Sequence, residues 1–265
     1  MIRIVRTTFA NVYEGPSFSS QMVTQGVAWE KVELLDRQED WLKIRLPDAY
    51  EGWMQNFSTL EMPDEEYETY QGLRQRVMDF PFGRLMNDNG EFIGETVMGG
   101  CYPIPEDAPD CVILPSGVRG CVRGQKLETV HTVRARVVAL AAEMMGTAYL
   151  WGGKTEYGTD CSGLVQCCFG IEGIQMPRDA SKQIGVVKHK AVEPEEAEPG
   201  DLAFFQNEKG RIVHVAIMTG PSQFIHSSGE VKRNSFRKDH PLYSEKLASM
   251  LEGVYKMPEK GNAEF

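Results

Sequence analysis

Cys161 is the residue in this chain best placed by its neighbours to act as a nucleophile. It opens the apolar half of 158-GTDCSGLVQCC-168 and follows an aspartate. Cys161, Leu164, Val165, Cys168 and Phe169 recur at helical spacing, so they share one face of an expected helix. Asp160 can cap that helix and Gly170 can end it. A cysteine in the first turn meets free N–H groups and the positive end of the helix dipole, which favour its thiolate. Cys168 lies deeper on the same face and Cys167 just off it; both read as small buried hydrophobes. A thiol nucleophile needs a base. Of the 5 histidines, His131, His189 and His240 stand in polar sequence. His214 interrupts the apolar run 212-IVHVAIM-218, where it shares a face with Ala216 and Met218. His226 shares a face with Phe224 in the next run. Two histidines on paired strands could act as base and orienter, with His226 holding His214 in the right tautomer.

These groups require a helix and an antiparallel sheet to hold them. Val133, Val137, Leu140, Ala141 and Met144 keep helical spacing, with Thr132 as cap and Gly146 as stop. The segment 147-TAYLWGGKTEYG-158 leads into the cysteine helix. Beyond it the period becomes two, and strands are expected over 202–205, 211–218 and 223–226. Helices followed by an antiparallel sheet make this part α+β. Ahead of it, residues 1–62 alternate in short runs, among them 40-DWLKIRL-46 and 52-GWMQNFSTL-60. That spacing suggests a small β-barrel. Residues 63–76 are acidic and read as a linker or a short exposed helix, and 77–128 as a second small β domain. The α+β part then occupies 129–265.

Composition narrows the partners. The chain has 265 residues, a net charge of −10 and 38 acidic against 28 basic residues, which argues against nucleic-acid binding. No run reaches the length of a membrane span. The start, 1-MIRIVRTTFANVYEG-15, alternates like a strand and lacks the pattern of a signal peptide. The expected location is therefore the cytosol, or outside the cell if a signal has been trimmed. The 6 cysteines are expected as reduced thiols. There is no C-x-x-C pair, and Cys101, Cys111 and Cys121 stand among Gly and Pro, so neither a metal nor another cofactor is expected. Nothing in the sequence sets an oligomeric state.

The runs 149-YLWGGKTEYGTDCSGLVQ-166, 177-PRDASKQ-183, 199-PGDLAFF-205, 213-VHVAIM-218 and 225-IHSSG-229 together resemble the NlpC-type, papain-like cysteine peptidases of bacterial cell-wall peptides. The turn and strand ending in "YEGWMQ" resemble a bacterial SH3-like module. Two such modules ahead of the peptidase are similar to the layout of the γ-D-glutamyl-L-diamino-acid endopeptidases, the dipeptidyl-peptidase VI subgroup. The resemblance implies an α+β, papain-like catalytic domain preceded by two small SH3-like β-barrels. It makes Cys161 the nucleophile, His214 the base and His226 the third polar residue. Tyr149 would polarise the scissile carbonyl and Trp151 would wall the pocket. Asp160 and Ser162 would shape it. Asp179 would meet the substrate's free α-amino group, with Tyr50 and an acid of the first module closing that pocket. Gln21 stands near the acid's position, with Glu14 and Glu51 as alternatives. The subgroup's serine after the aspartate is Ala180 here. The implied partner is a short murein peptide with a free N-terminal L-Ala and with lysine or meso-diaminopimelate after its D-glutamate. Its γ-D-glutamyl bond would be cut during cell-wall peptide recycling. The alternatives are an inactive module that binds wall peptides, and an amidase or acyltransferase using the same Cys-His-His site.

Overall fold

The computed structural model describes residues 1–123 and 131–260. The chain divides into two compact units, Met1–Lys126 and Leu127–Phe265. The boundary expected at 128/129 lies outside the described residues.

The first unit opens with seven strands: β1 (Ile2–Val5), β2 (Phe9–Tyr13), β3 (Met22–Val27), β4 (Lys31–Gln38), β5 (Trp41–Arg45), β6 (Glu51–Gln55) and β7 (Thr59–Met62). They form one sheet in the order β3-β2-β6-β5-β4-β1-β7. Alternation along these strands sends Val5, Val12, Val32, Leu42, Ile44 and Met54 into a shared core. The segment expected as a linker contains helix α1 (Asp64–Gly72). Asp64, Glu65 and Glu66 in its first turn suit the positive helix end. Tyr67, Tyr70 and the following Leu73 pack against a second core that joins Ile4, Trp29 and Met62 to Met78, Leu85, Tyr102 and Val112. The indole N–H of Trp29 donates to the Ile113 carbonyl at 2.8 Å. Apolar side chains in this segment thus turn a polar stretch into part of the packing.

Six more strands follow: β8 (Gln75–Val77), β9 (Gly83–Met86), β10 (Phe92–Thr96), β11 (Cys101–Pro103), β12 (Cys111–Ile113) and β13 (Arg119–Arg123). They make a four-stranded sheet, β10-β9-β13-β12, and a β11-β8 ribbon. Cys111 and Cys121 stand opposite each other on β12 and β13 and form a disulfide. This corrects the expectation of reduced thiols for that pair. Spacing in the chain did not show that a hairpin brings the two side chains together.

The second unit holds helix α2 (Val133–Glu143), a small β14–β15 hairpin (Lys154–Thr155 and Gly158–Thr159), α3 (Cys161–Ile171) and α4 (Ala180–Val187). Then come β16 (Ala191–Val192), β17 (Leu202–Gln206), β18 (Ile212–Gly220), β19 (Gln223–Ser228), β20 (Glu230–Ser235), α5 (Glu245–Met250) and β21 (Leu251–Tyr255). The six strands form an antiparallel sheet in the order β16-β21-β17-β18-β19-β20, and α2, α3 and α4 pack against β18. Thr132 caps α2, accepting from Ala135 N–H at 3.3 Å. Gly170 does not end α3; the helix runs on to Ile171, and Gly173 takes the positive φ of 74° after it. Ala216 and Met218 of β18 join Phe205 and Phe224 in a core on the face they share with His214.

Candidate active site

The site begins at Asp160, the N-cap of α3. One carboxylate oxygen accepts from the Gly163 N–H at 2.7 Å and from the Ser162 hydroxyl at 3.2 Å. The other accepts from the Gly152 N–H at 2.9 Å. Arg178 grips both oxygens, at 2.9 and 2.6 Å, and donates to the Ser162 hydroxyl oxygen at 3.0 Å. Asp160 and Arg178 are both buried. The pair therefore forms the floor under the start of the helix, and this is where the structure puts the Asp160 and Ser162 side chains. The packing is close: a Cβ on Gly163 would lie 2.0 Å from the Gly153 carbonyl oxygen. Glycine is required there for the helix start to meet the 150–153 turn.

Cys161 is 8% exposed. Its thiol is pushed up to about 11, first by burial and then by the Asp160 charge, while backbone hydrogen bonds from Val215 and Ser162 and the Arg178 charge act in the opposite direction. The backbone N–H groups thus act in the direction the sequence suggests, and loss of water outweighs them. Val215 adjoins His214, which brings the sulfur to that point of β18. The β18–β19 pairing runs from Gly220↔Gln223 to Ile217↔Ile225, although both strands extend further. The start of α3 meets the sheet where these two strands part.

His214 and His226 meet there. The Nε2 of His214 lies 2.7 Å from the Nδ1 of His226. The Nε2 of His226 lies 2.8 Å from the Oδ1 of Asn234 on β20. Burial lowers His214 to about 3, with a contribution from the neighbouring His226. Burial also lowers His226, and Lys232 adds to that, while the Asn234 hydrogen bond opposes it. The Phe205 ring packs 5.3 Å from the His214 ring.

Tyr149 is held by its N–H on the Gly229 carbonyl at 2.9 Å. Its phenol is raised to about 12 by burial and by the Cys161 and Asp160 charges, so it stays protonated and able to donate. Trp151 is 59% exposed, an open aromatic surface on the turn that precedes β14 and α3. Asp179 stands at the start of α4 without capping it, and pairs with Lys182 at 3.3 Å. Tyr50 belongs to the first unit, in the turn before β6, where its N–H donates to Asp48 at 3.1 Å. Glu51 of that unit is bound to Arg45 at 2.7 Å.

Sequence reasoning passed over three residues. Arg178 lay inside the quoted run PRDASKQ, and an arginine that follows Met176 and Pro177 and stands next to an acid was a signal for a buried partner. Gln183, fully buried, donates to the carbonyls of Ser162 at 3.0 Å and Pro177 at 2.8 Å and ties α4 to α3. Asn234 gave no signal, because 230–235 was not read as a strand. Among the described residues, no group of three or more His, Cys, Asp or Glu side chains could hold a metal ion. Nor is any described helix long and apolar enough to cross a membrane.

Residues 146–251 match the NlpC/P60 family, and residues 8–57 match the bacterial SH3 domain. Dipeptidyl-peptidase 6 of Lysinibacillus sphaericus is 29% identical over 96% of this chain and 98% of its own. A γ-D-glutamyl-L-lysine dipeptidyl-peptidase of Bacillus subtilis is 38% identical, over 34% of this chain and 31% of that protein. The crystal structure of an NlpC/P60 family protein from Bacillus cereus superposes with a TM-score of 0.80 at 19% identity, covering 98% of this chain and 100% of that one. By these matches, the chain carries an NlpC/P60 cysteine peptidase domain with a bacterial SH3 domain ahead of it.

Proposed function

We propose that the protein hydrolyses the bond between the γ-carboxyl of D-glutamate and the α-amine of lysine or meso-diaminopimelate in short murein peptides. L-Ala-γ-D-Glu is the product released. The observation that carries the chemistry is the His214–His226 pair at 2.7 Å, set on the strand whose backbone bonds the Cys161 sulfur. The names of the Lysinibacillus and Bacillus relatives support the substrate class.

The buried thiol and the neutral imidazole form the resting pair. As the substrate's γ-carbonyl enters, His214 takes the Cys161 proton and the sulfur attacks. The new C–S bond forms while the carbonyl π pair moves onto oxygen. The Tyr149 hydroxyl and the Cys161 N–H donate to that oxyanion. The C–N bond then breaks, and the proton held by His214 goes to the leaving amine. Water, deprotonated by His214, attacks the thioester; the acid leaves and the thiol is restored.

Asp179 receives the substrate's free ammonium, for which a half-exposed carboxylate on a helix start is suited. Trp151 offers an apolar wall to the peptide. The proposed setting is the recycling of wall peptides in the cytosol.

Incubation with L-Ala-γ-D-Glu-diaminopimelate and with its lysine counterpart, followed by mass spectrometry, tests the reading. The expected product is the L-Ala-γ-D-Glu dipeptide, absent with Cys161→Ala. Dipeptide release undiminished in Cys161→Ala overturns it. Equal cleavage of the N-acetylated peptide removes the amine requirement alone.

A further inference from the structure

Two neutral imidazoles in a row have four possible tautomer combinations, and only one of them both frees the proposed base and keeps its hydrogen bond. His214 can accept a thiol proton at Nδ1 only if its own proton sits on Nε2. His226 can take a hydrogen bond from that Nε2–H only if its Nδ1 is bare, which places the His226 proton on Nε2. Something must hold that proton in place.

Asn234 supplies the constraint. Its Nδ2 donates to the Leu242 carbonyl at 2.9 Å. That carbonyl also accepts from the Ser235 N–H at 2.9 Å, and the loop is pinned again by the Ser244 N–H on the Ser235 carbonyl at 3.2 Å. With its NH₂ on a fixed carbonyl, the amide turns its oxygen toward His226, 2.8 Å from Nε2. An amide oxygen can only accept. His226 must therefore carry its proton on Nε2, and its Nδ1 becomes the acceptor facing His214 at 2.7 Å. We propose that Asn234 is a positioning residue that sets the tautomers of both histidines through this chain, leaving Nδ1 of His214 as the bare nitrogen.

Other groups around the pair do not compete for these protons. Lys232, on the same face of β20 as Asn234, adds a positive charge that keeps His226 neutral. Phe205 and Phe224 flank the rings with apolar edges. The Asp160 carboxylate is held by Arg178. Burial keeps both imidazoles uncharged near neutral pH, so the tautomer is the variable that remains.

The inference rests on the reading of Cys161 as nucleophile and His214 as base, and the test separates the two. In the full-length protein labelled with ¹⁵N-histidine, nitrogen shifts near pH 7 report each tautomer without any turnover. The expected wild-type result is Nε2–H on both His214 and His226. Asn234→Leu removes the acceptor. It is expected to mix the His226 tautomers and to lower kcat roughly tenfold with KM within about twofold. Asn234→Asp keeps an acceptor, so both tautomers and most of kcat should survive. Its added negative charge should move the acidic limb of the kcat profile to higher pH. A wild-type His226 protonated on Nδ1, or an Asn234→Leu protein with unchanged tautomers and kcat, overturns the inference. An Asn234→Asp limb that does not move also counts against it, and that reading does not depend on the leucine variant folding. If Cys161→Ala still releases dipeptide, the nucleophile assignment fails, while the nitrogen shifts still decide the tautomer chain.

Discussion

Arg178 binds both carboxylate oxygens of Asp160, at 2.9 and 2.6 Å, directly behind the first turn that carries Cys161. Neither side chain is more than 9% exposed. Removing one partner would strand the other's charge away from water. Arg178→Met is therefore expected to destabilise the peptidase unit by about 3 kcal/mol or more, against a smaller loss for the double variant with Asp160→Asn. Urea unfolding of the full chain, followed by tryptophan fluorescence and by activity, measures both. Equal stability of Arg178→Met and wild type would remove the pair from any structural role.

Cys161 at about 11 and His214 at about 3 describe a resting pair without charge. Alkylation by iodoacetamide should then rise with pH through the neutral range, roughly tenfold per unit, because thiolate is the reacting form. A Cys⁻/His⁺ ion pair would instead give a flat plateau between about pH 5 and pH 8. Mass-spectrometric rates of carbamidomethylation at Cys161, taken across that range, distinguish the two.

The same His214 shift bears on stability. Its folded value near 3 lies below the ordinary histidine value of about 6.5. Between those limits the unfolded chain binds a proton that the folded chain refuses. The contribution to stability is full above about pH 6.5 and is lost as pH falls toward 3. His214→Gln should flatten this acid-side slope, which urea midpoints from about pH 7 to pH 4 would reveal. A slope identical to wild type would contradict it.

The phenol of Tyr149 stays protonated to about 12 and is proposed to donate to the oxyanion. Tyr149→Phe keeps the ring and loses the donor. The expected result is a fall in kcat of about a hundredfold with little change in KM. A raised KM at constant kcat would make Tyr149 a binding residue instead.

The cysteines offer a check that needs no substrate. Cys101 is exposed, Cys161, Cys167 and Cys168 are buried, and Cys111 and Cys121 are joined. A thiol reagent should label one site quickly in the native protein, four after denaturation and six after reduction. Six sites without reductant would show Cys111 and Cys121 to be free.

The sequence by itself determined the local parts of the site. The cap at Asp160, the apolar face behind Cys161 and the alternation that puts His214 with Ala216 and Met218 are all short-range patterns, set by helical and strand periods within a few residues. The family resemblance then gave these parts their order and roles. What the sequence did not carry were relationships between residues far apart in the chain. Arg178 meets Asp160, Asn234 meets His226, and α1 joins the first β unit, because packing brings separate segments together. The Cys161 thiol shows the division most clearly. The sequence placed it at a helix start, where dipole and N–H groups favour the anion. The tertiary structure surrounded it with protein and excluded water. Loss of hydration costs the charged form more than the helix end returns, so the fold, not the motif, sets the direction in which the Cys161 thiol is shifted.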